Sequence, residues 1–332
     1  MTDHLASSYD LAIFDLDGVV FLIDKPIPGA AEAVERLRAE GTSIAYATNN
    51  ASRRAADVAT LLTGMGVSAT PAEVLTSAGA AAALVAEHVE PGSPVLVVGA
   101  EALRGEVRDA GLTPVDSADD APVAVVQGYG PEVGWKILSE AALAVRAGAT
   151  WYATNTDRTL PSPRGPLPGN GSLIAVLRTA LDREPDVVVG KPQPALFTTA
   201  ASAAGAERPL AIGDRLDTDI QGAVGAGMDS LLVLTGVSGP KDLLAAPAER
   251  RPAFVAADLS GLFRPADRAA VPAAEVDGWT VTREGDRAVL DGSGDPVDAL
   301  RLLCGVTWDG VAPADISAAS ADATEVLKSW GL

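Results

Sequence analysis

Two aspartates two residues apart, Asp15 and Asp17, follow the apolar run Leu11-Ala12-Ile13-Phe14 and precede Gly18. An apolar run that breaks into acids is what a buried parallel strand does on reaching the edge of its sheet. Gly18 then lets the chain turn. A carboxylate at such a place can attack phosphorus and form an aspartyl-phosphate, which divides one difficult displacement into two easier ones. A second carboxylate can protonate the departing alkoxide, then deprotonate the water that releases phosphate. The pair is read as nucleophile (Asp15) and acid/base (Asp17), provided that partners exist elsewhere in the chain.

Three further strings meet that condition. Thr48-Asn49-Asn50 ends the run Ser43 to Ala47, and a hydroxyl with successive N–H groups ahead of a helix forms a phosphate cradle. Lys191, in Gly190-Lys191-Pro192 after Val187 to Val189, would neutralise a phosphoryl group and hold the nucleophile in place. Asp214, in Gly213-Asp214-Arg215-Leu216-Asp217-Thr218-Asp219, offers Mg2+ a further oxygen ligand, since that hard cation favours carboxylates. The ion would offset the repulsion between a carboxylate and a phosphate. Asn155 and Asp157, in Thr154-Asn155-Thr156-Asp157, either close over the site or stabilise a turn. Gly165 to Ser172 is Gly-rich but lacks the Gly-Lys-Ser/Thr ending of a phosphate loop. Neither His4 nor His88 has a Ser or Cys partner in a motif, so acid/base work falls to carboxylates.

Elements able to position these residues follow from the pattern. A strand–helix–strand–helix order runs from Leu11 to Met65, with Ser52 expected to cap the helix 53–65. A second complete alternation fills the stretch between Thr48 and Lys191. The expected fold is α/β: a Rossmann-like parallel sheet with helices on both faces, an inserted α/β domain, and a small C-terminal α+β extension. The boundaries expected are 1–75 with 187–263 for the discontinuous core, 76–186 for the insert, and 264–332 for a linker plus extension of unknown role. In that extension 279–282 and 287–290 flank a hairpin turn at Glu284-Gly285-Asp286, and 296–303 and 315–328 read as helices.

Composition narrows the partners. A formal net charge of −19 argues against nucleic acid, whose affinity rests on Lys and Arg meeting phosphates. No apolar segment reaches the roughly 20 residues that span a bilayer, and Met1 to Asp10 has no basic stretch followed by an apolar run. A cytoplasmic protein with no membrane partner is expected. The single cysteine, Cys304, excludes an internal disulfide and reads as a packed thiol on an apolar helix face.

In order and in placement, Asp15-x-Asp17-Gly18, Thr48, Lys191 and Gly213-Asp214 through Asp219 resemble the haloacid dehalogenase superfamily, over about residues 9 to 262. The resemblance is to its phosphatases with a large α/β cap after the second motif. It implies Mg2+ as cofactor, with Asp15 as nucleophile and metal ligand and Asp17 as acid/base that ligates through its carbonyl. It further implies Thr48 with Asn49 on phosphate, Lys191 as the orienting cation, Asp214 on the metal, and Asp219 behind the metal's water. The strings 46–50 and 213–220 resemble the nitrophenylphosphatase-like branch. That likeness implies a small phosphorylated metabolite as substrate, glycerol 3-phosphate first, with phosphoglycolate, pyridoxal phosphate or nucleotides as alternatives. It also implies pairing of caps in a homodimer. Phosphotransfer to another alcohol, or a catalytically silent interaction protein, are the remaining readings.

Overall fold

The computed structural model describes residues 4–23 and 25–332. Packing divides the chain into two units, one of residues 1–45 with 201–332 and the other of residues 46–200.

The first unit begins with β1 (Leu11–Phe14), β2 (Phe21–Leu22), β3 (Lys25–Pro26), α1 (Ala30–Ala39) and the start of β4 (Ser43–Thr48). Every residue of β1 is buried, which is why its sequence is continuous rather than alternating. The second unit continues with α2 (Ala55–Gly64), β5 (Val74–Thr76), α3 (Ser77–His88), β6 (Pro94–Val98), α4 (Glu101–Asp109) and β7 (Thr113–Val115). It goes on through β8 (Ala124–Gln127), α5 (Trp135–Arg146), β9 (Thr150–Ala153), β10 (Thr159–Leu160), β11 (Leu167–Pro168), α6 (Asn170–Leu181), β12 (Val187–Val188) and most of α7 (Ala195–Ala204). Its parallel sheet has the order β12-β9-β8-β6-β7. Alternate residues of β6 feed opposite faces: Val95 and Val97 join one apolar cluster, Leu96 and Val98 the other.

The chain returns to the first unit as β13 (Pro209–Gly213), α8 (Gln221–Gly225), β14 (Asp229–Val233), α9 (Pro240–Leu244) and β15 (Phe254–Ala256). β1 pairs in parallel with β13 from Leu11↔Pro209 to Phe14↔Ile212, β13 with β14, and β14 with β15. Parallel register brings the ends of β1, β13 and β14 to one edge, where open α/β sheets bind ligands.

The C-terminal segment comprises β16 (Trp279–Glu284), β17 (Arg287–Gly292), α10 (Pro296–Thr307), β18 (Ile316–Ala318) and α11 (Ala321–Ser329). The hairpin forms where its turn residues place it, with Glu284↔Arg287 as the closing pair. The stretch 315–328, read as one helix, is instead a short strand parallel to β17 followed by α11. Ser320 separates them, its hydroxyl accepting from the Ala323 N–H as a helix cap. The extension shares one apolar cluster with the sheet: Leu216, Ile220, Leu232 and Leu243 pack with Trp279, Leu290, Leu300 and Leu303. Burying each such side chain contributes about 1.5–3 kcal/mol. The segment before it is packed as well, with Ala269 and Val271 buried. Cys304 lies fully inside this cluster, and burial pushes its thiol well above the ordinary range, so it stays protonated and unreactive.

Candidate active site

In the first unit the acids converge. Asp15 continues β1 by one residue, its N–H donating to the Ile212 carbonyl at 2.8 Å. The chain then folds back tightly: Gly18 N–H donates to Phe21 O, and Val20 and Phe21 both donate to Leu16 O. Asp17 sits inside that turn, bridged to Phe21. Gly18 has φ +86, and a Cβ there would stand 2.5 Å from Asp214 Oδ2. Gly18→Ala therefore combines a strained backbone with a clash against a carboxylate oxygen. It is expected to cost about 1–3 kcal/mol and to weaken Mg2+ binding, read by thermal melting and by titration calorimetry with Mg2+.

Asp214 and Asp219 are buried, and with Asp15 they present oxygens that all lie within 4.8 Å of one another. Like charges packed this closely repel unless a cation sits among them. The donor set is wholly oxygen, which fits Mg2+. Asp219 is brought back towards Gly213 by a π-helical turn, Leu216–Ile220, and accepts from the Arg215 N–H at 3.1 Å. Such turns are frequent at functional sites. Asp217, the remaining acid of this string, points elsewhere and accepts from Nε and Nη2 of Arg215. Burial works against its charge, but Arg215 wins and holds it below the usual carboxylate range.

The sequence reading missed one participant. The loop after β14, Thr235-Gly236-Val237-Ser238, bonds both acidic turns: Thr235 Oγ1 donates to Gly18 O, and Val237 N–H donates to Asp214 Oδ2 at 2.7 Å. Its signal was available, because Thr-Gly directly follows an apolar strand as the other motifs do.

The second unit gathers the remaining predicted residues. Thr48 ends β4 opposite Thr76 of β5, is buried, and accepts from the Asn50 N–H at 3.1 Å. Asn50 Oδ1 takes both the N–H and the hydroxyl of Ser52. Ser52 is thus committed to the loop, and Arg54, not Ser52, is the cap residue of α2. Asn49 is a junction. Its Oδ1 accepts from Lys191 N–H at 2.8 Å, and its Nδ2 donates to Lys191 O and to the Asp157 carboxylate. Its carbonyl receives Asn155 Nδ2 and the Ser77 hydroxyl. Lys191 is buried and donates from Nζ to the Ala47 carbonyl at 2.9 Å. Asn155 and Asp157 also form their own turn, Asp157 N–H to Asn155 Oδ1. The turn reading of that string holds, and Asn49 ties the turn to the Lys191 loop.

Comparison with known proteins places this geometry. Residues 12–113 match the model of the haloacid dehalogenase-like hydrolases, residues 188–262 a second HAD-hydrolase-like model, and residues 276–332 a GCN5-related N-acetyltransferase-like domain. The D-glycerol 3-phosphate phosphatase of Mycobacterium tuberculosis is 43% identical, the alignment covering 99% of this chain and 96% of the relative. The crystal structure of the glycerol phosphate phosphatase of M. tuberculosis with magnesium superposes with a TM-score of 0.92 at 42% identity, covering 99% of both chains. A 4-nitrophenylphosphatase from Thermotoga maritima gives 0.72 at 31% identity, over 78% of this chain and 98% of its own. With its motifs in order and a relative of this identity matched over nearly its whole length, the chain belongs to the haloacid dehalogenase-like hydrolase family.

Proposed function

We propose that the chain is a Mg2+-dependent phosphatase of small phosphate monoesters, with glycerol 3-phosphate as its substrate. The observation that carries the reaction type is the convergence of Asp15, Asp214 and Asp219 at one sheet edge, with Asp17 in the adjoining turn. Support for the substrate comes from coverage. The relatives named for nitrophenyl phosphate and acid sugar phosphates match 78% and 71% of this chain, whereas the glycerol 3-phosphate phosphatase matches 99%, extension included.

In this reading Asp15 attacks phosphorus while Asp17 protonates the leaving alkoxide, then deprotonates the water that hydrolyses the aspartyl-phosphate. Thr48 and the N–H of Asn49 hold phosphoryl oxygens, and the N–H of Asn50 orients the Thr48 hydroxyl. Lys191 brings a positive charge, and the side chain of Asn49 fixes the loop that carries it. Bound Mg2+ supplies charge neutralisation between the nucleophile and the phosphoryl group. Asp15, Asp17 through its carbonyl, and Asp214 would ligate it, with Asp219 supporting. Residues 1–75 and 187–263 then act as the catalytic core, 76–186 as the cap, and 264–332 as an appended segment. Trp135 and Leu143, eight apart on α5 and 83% and 53% exposed, support a homodimer through the cap. Among the described residues no helix is long and apolar enough to cross a membrane, and we assign the protein to the cytoplasm.

A panel of phosphometabolites, scored by kcat/KM with and without Mg2+, tests the proposal. Glycerol 3-phosphate is expected to lead, and turnover to vanish with a chelator. Preference for phosphoglycolate, pyridoxal phosphate or a nucleotide removes the substrate assignment, and metal-independent turnover removes the mechanism.

A further inference from the structure

We infer that the acetyltransferase-like C-terminal segment is a positioning element for Mg2+, acting on Asp214 through α9 and the loop Thr235–Ser238. This rests on the reading of Asp214 as a metal ligand.

The loop holds Asp214 at two points and the residue two beyond it at a third. Val237 N–H donates to its Oδ2, Ser238 N–H donates to its carbonyl at 3.0 Å, and Ser238 Oγ accepts from Leu216 N–H just beyond it. Gly236 lies against the same carboxylate so closely that a Cβ would collide with Oδ2. Thr235 meanwhile bonds the Gly18 carbonyl, so four consecutive residues fix both acidic turns.

What fixes the loop is α9. On another side it borders an open cleft of about 450 Å³, whose lining includes Arg215, Asp217, Val237, Ser238, Asp242 and Arg250, so packing there gives it little support. α9 starts at Pro240, with Gly239 at its N-cap directly after Ser238, and spans five residues. A helix that short has no stability of its own. It is held by the extension: Leu243 and Leu244 are buried in the cluster with Leu300, Leu303 and Cys304. Trp308 Nε1 donates to the Leu243 carbonyl at 3.0 Å, and Lys241 Nζ reaches the Gly331 carbonyl. Arg251 stacks on the Trp308 ring and donates to the Trp308 carbonyl.

Nor does the segment present an evident anion site at its helix start. The N-terminus of α10 is capped by its own Asp295, which accepts from Val297 N–H, and Asp298 follows in the first turn. A phosphate-bearing ligand would meet carboxylates there.

The test measures Mg2+ affinity directly, by titration calorimetry on the full chain without substrate, with folding checked by circular dichroism. Ser238→Ala loses the bond to Leu216 and is expected to weaken Mg2+ about tenfold, the equivalent of about 1.4 kcal/mol. Ser238→Thr keeps the hydroxyl and should restore affinity to within about threefold of wild type. Trp308→Phe keeps an aromatic face for Arg251, removes the bond to Leu243 with the pyrrole half of the indole, and should weaken Mg2+ about threefold. Trp308→Ala should weaken it further where it folds. Folded Ser238→Ala and Trp308→Phe chains with wild-type affinity overturn the inference while leaving the metal site intact. A wild-type chain that takes up no Mg2+ overturns the metal reading and this inference together.

Discussion

Asp15→Asn is expected to abolish turnover, lowering kcat by about 10⁴-fold or more, as losses of a covalent nucleophile do. The amide matches the carboxylate in size, so β1 and its pairing with Ile212 should persist. What disappears is the carboxylate charge that, in the proposed mechanism, attacks phosphorus, and with it one of the two oxygens that Asp15 can offer the acidic cluster. Steady-state hydrolysis of p-nitrophenyl phosphate with saturating Mg2+ measures the loss. Activity within tenfold of wild type would mean that the covalent route does not run through Asp15.

The second large effect belongs to Asp17→Asn, and it should depend on the leaving group. An asparagine cannot donate a proton to a glycerol alkoxide, so phosphorylation of Asp15 should slow by about 10²–10⁴-fold with an alkyl phosphate. Nitrophenolate leaves without a proton, so the same step should be far less impaired with p-nitrophenyl phosphate. Hydrolysis of the aspartyl-phosphate still needs a base, so a burst of one nitrophenolate per chain should precede a slow steady state. Rapid-quench kinetics reads both phases. Equal losses with the two substrates and no burst would refute the acid/base role. Because Asp17 lies within the turn closed by Leu16 and Phe21, the variant's melting temperature should accompany the kinetics.

The reaction type was legible in the sequence because each motif carries its own local signature. Asp15, Thr48, Lys191 and Asp214 each follow a short apolar run, and a parallel strand delivers its last residue to the ligand-binding edge wherever its neighbours lie. Some local details were not legible. Ser52 has the chemistry of a helix cap, yet the loop claims it through Asn50, since tertiary partners override a local preference. The stretch 315–328 has helical composition throughout, but Ile316–Ala318 gains more by extending the sheet beside β17.

From sequence alone one could read which residues are candidates for the chemistry and in what order: two acids, a hydroxyl, a lysine and a further pair of acids. These identities depend on bonds and charges that a residue brings with it. How those groups are supported emerged from the fold, because support is a matter of which distant segments touch. The fold assigned the Asn49 side chain to the loops of Lys191 and Asp157, and folded Asp219 back on a π turn while Asp217 paired with Arg215. It also joined the C-terminal extension to the sheet in one apolar cluster, which periodicity within a segment cannot reveal. Through Leu243 and Trp308 that cluster reaches the loop beside Asp214, more than 60 residues away in the chain.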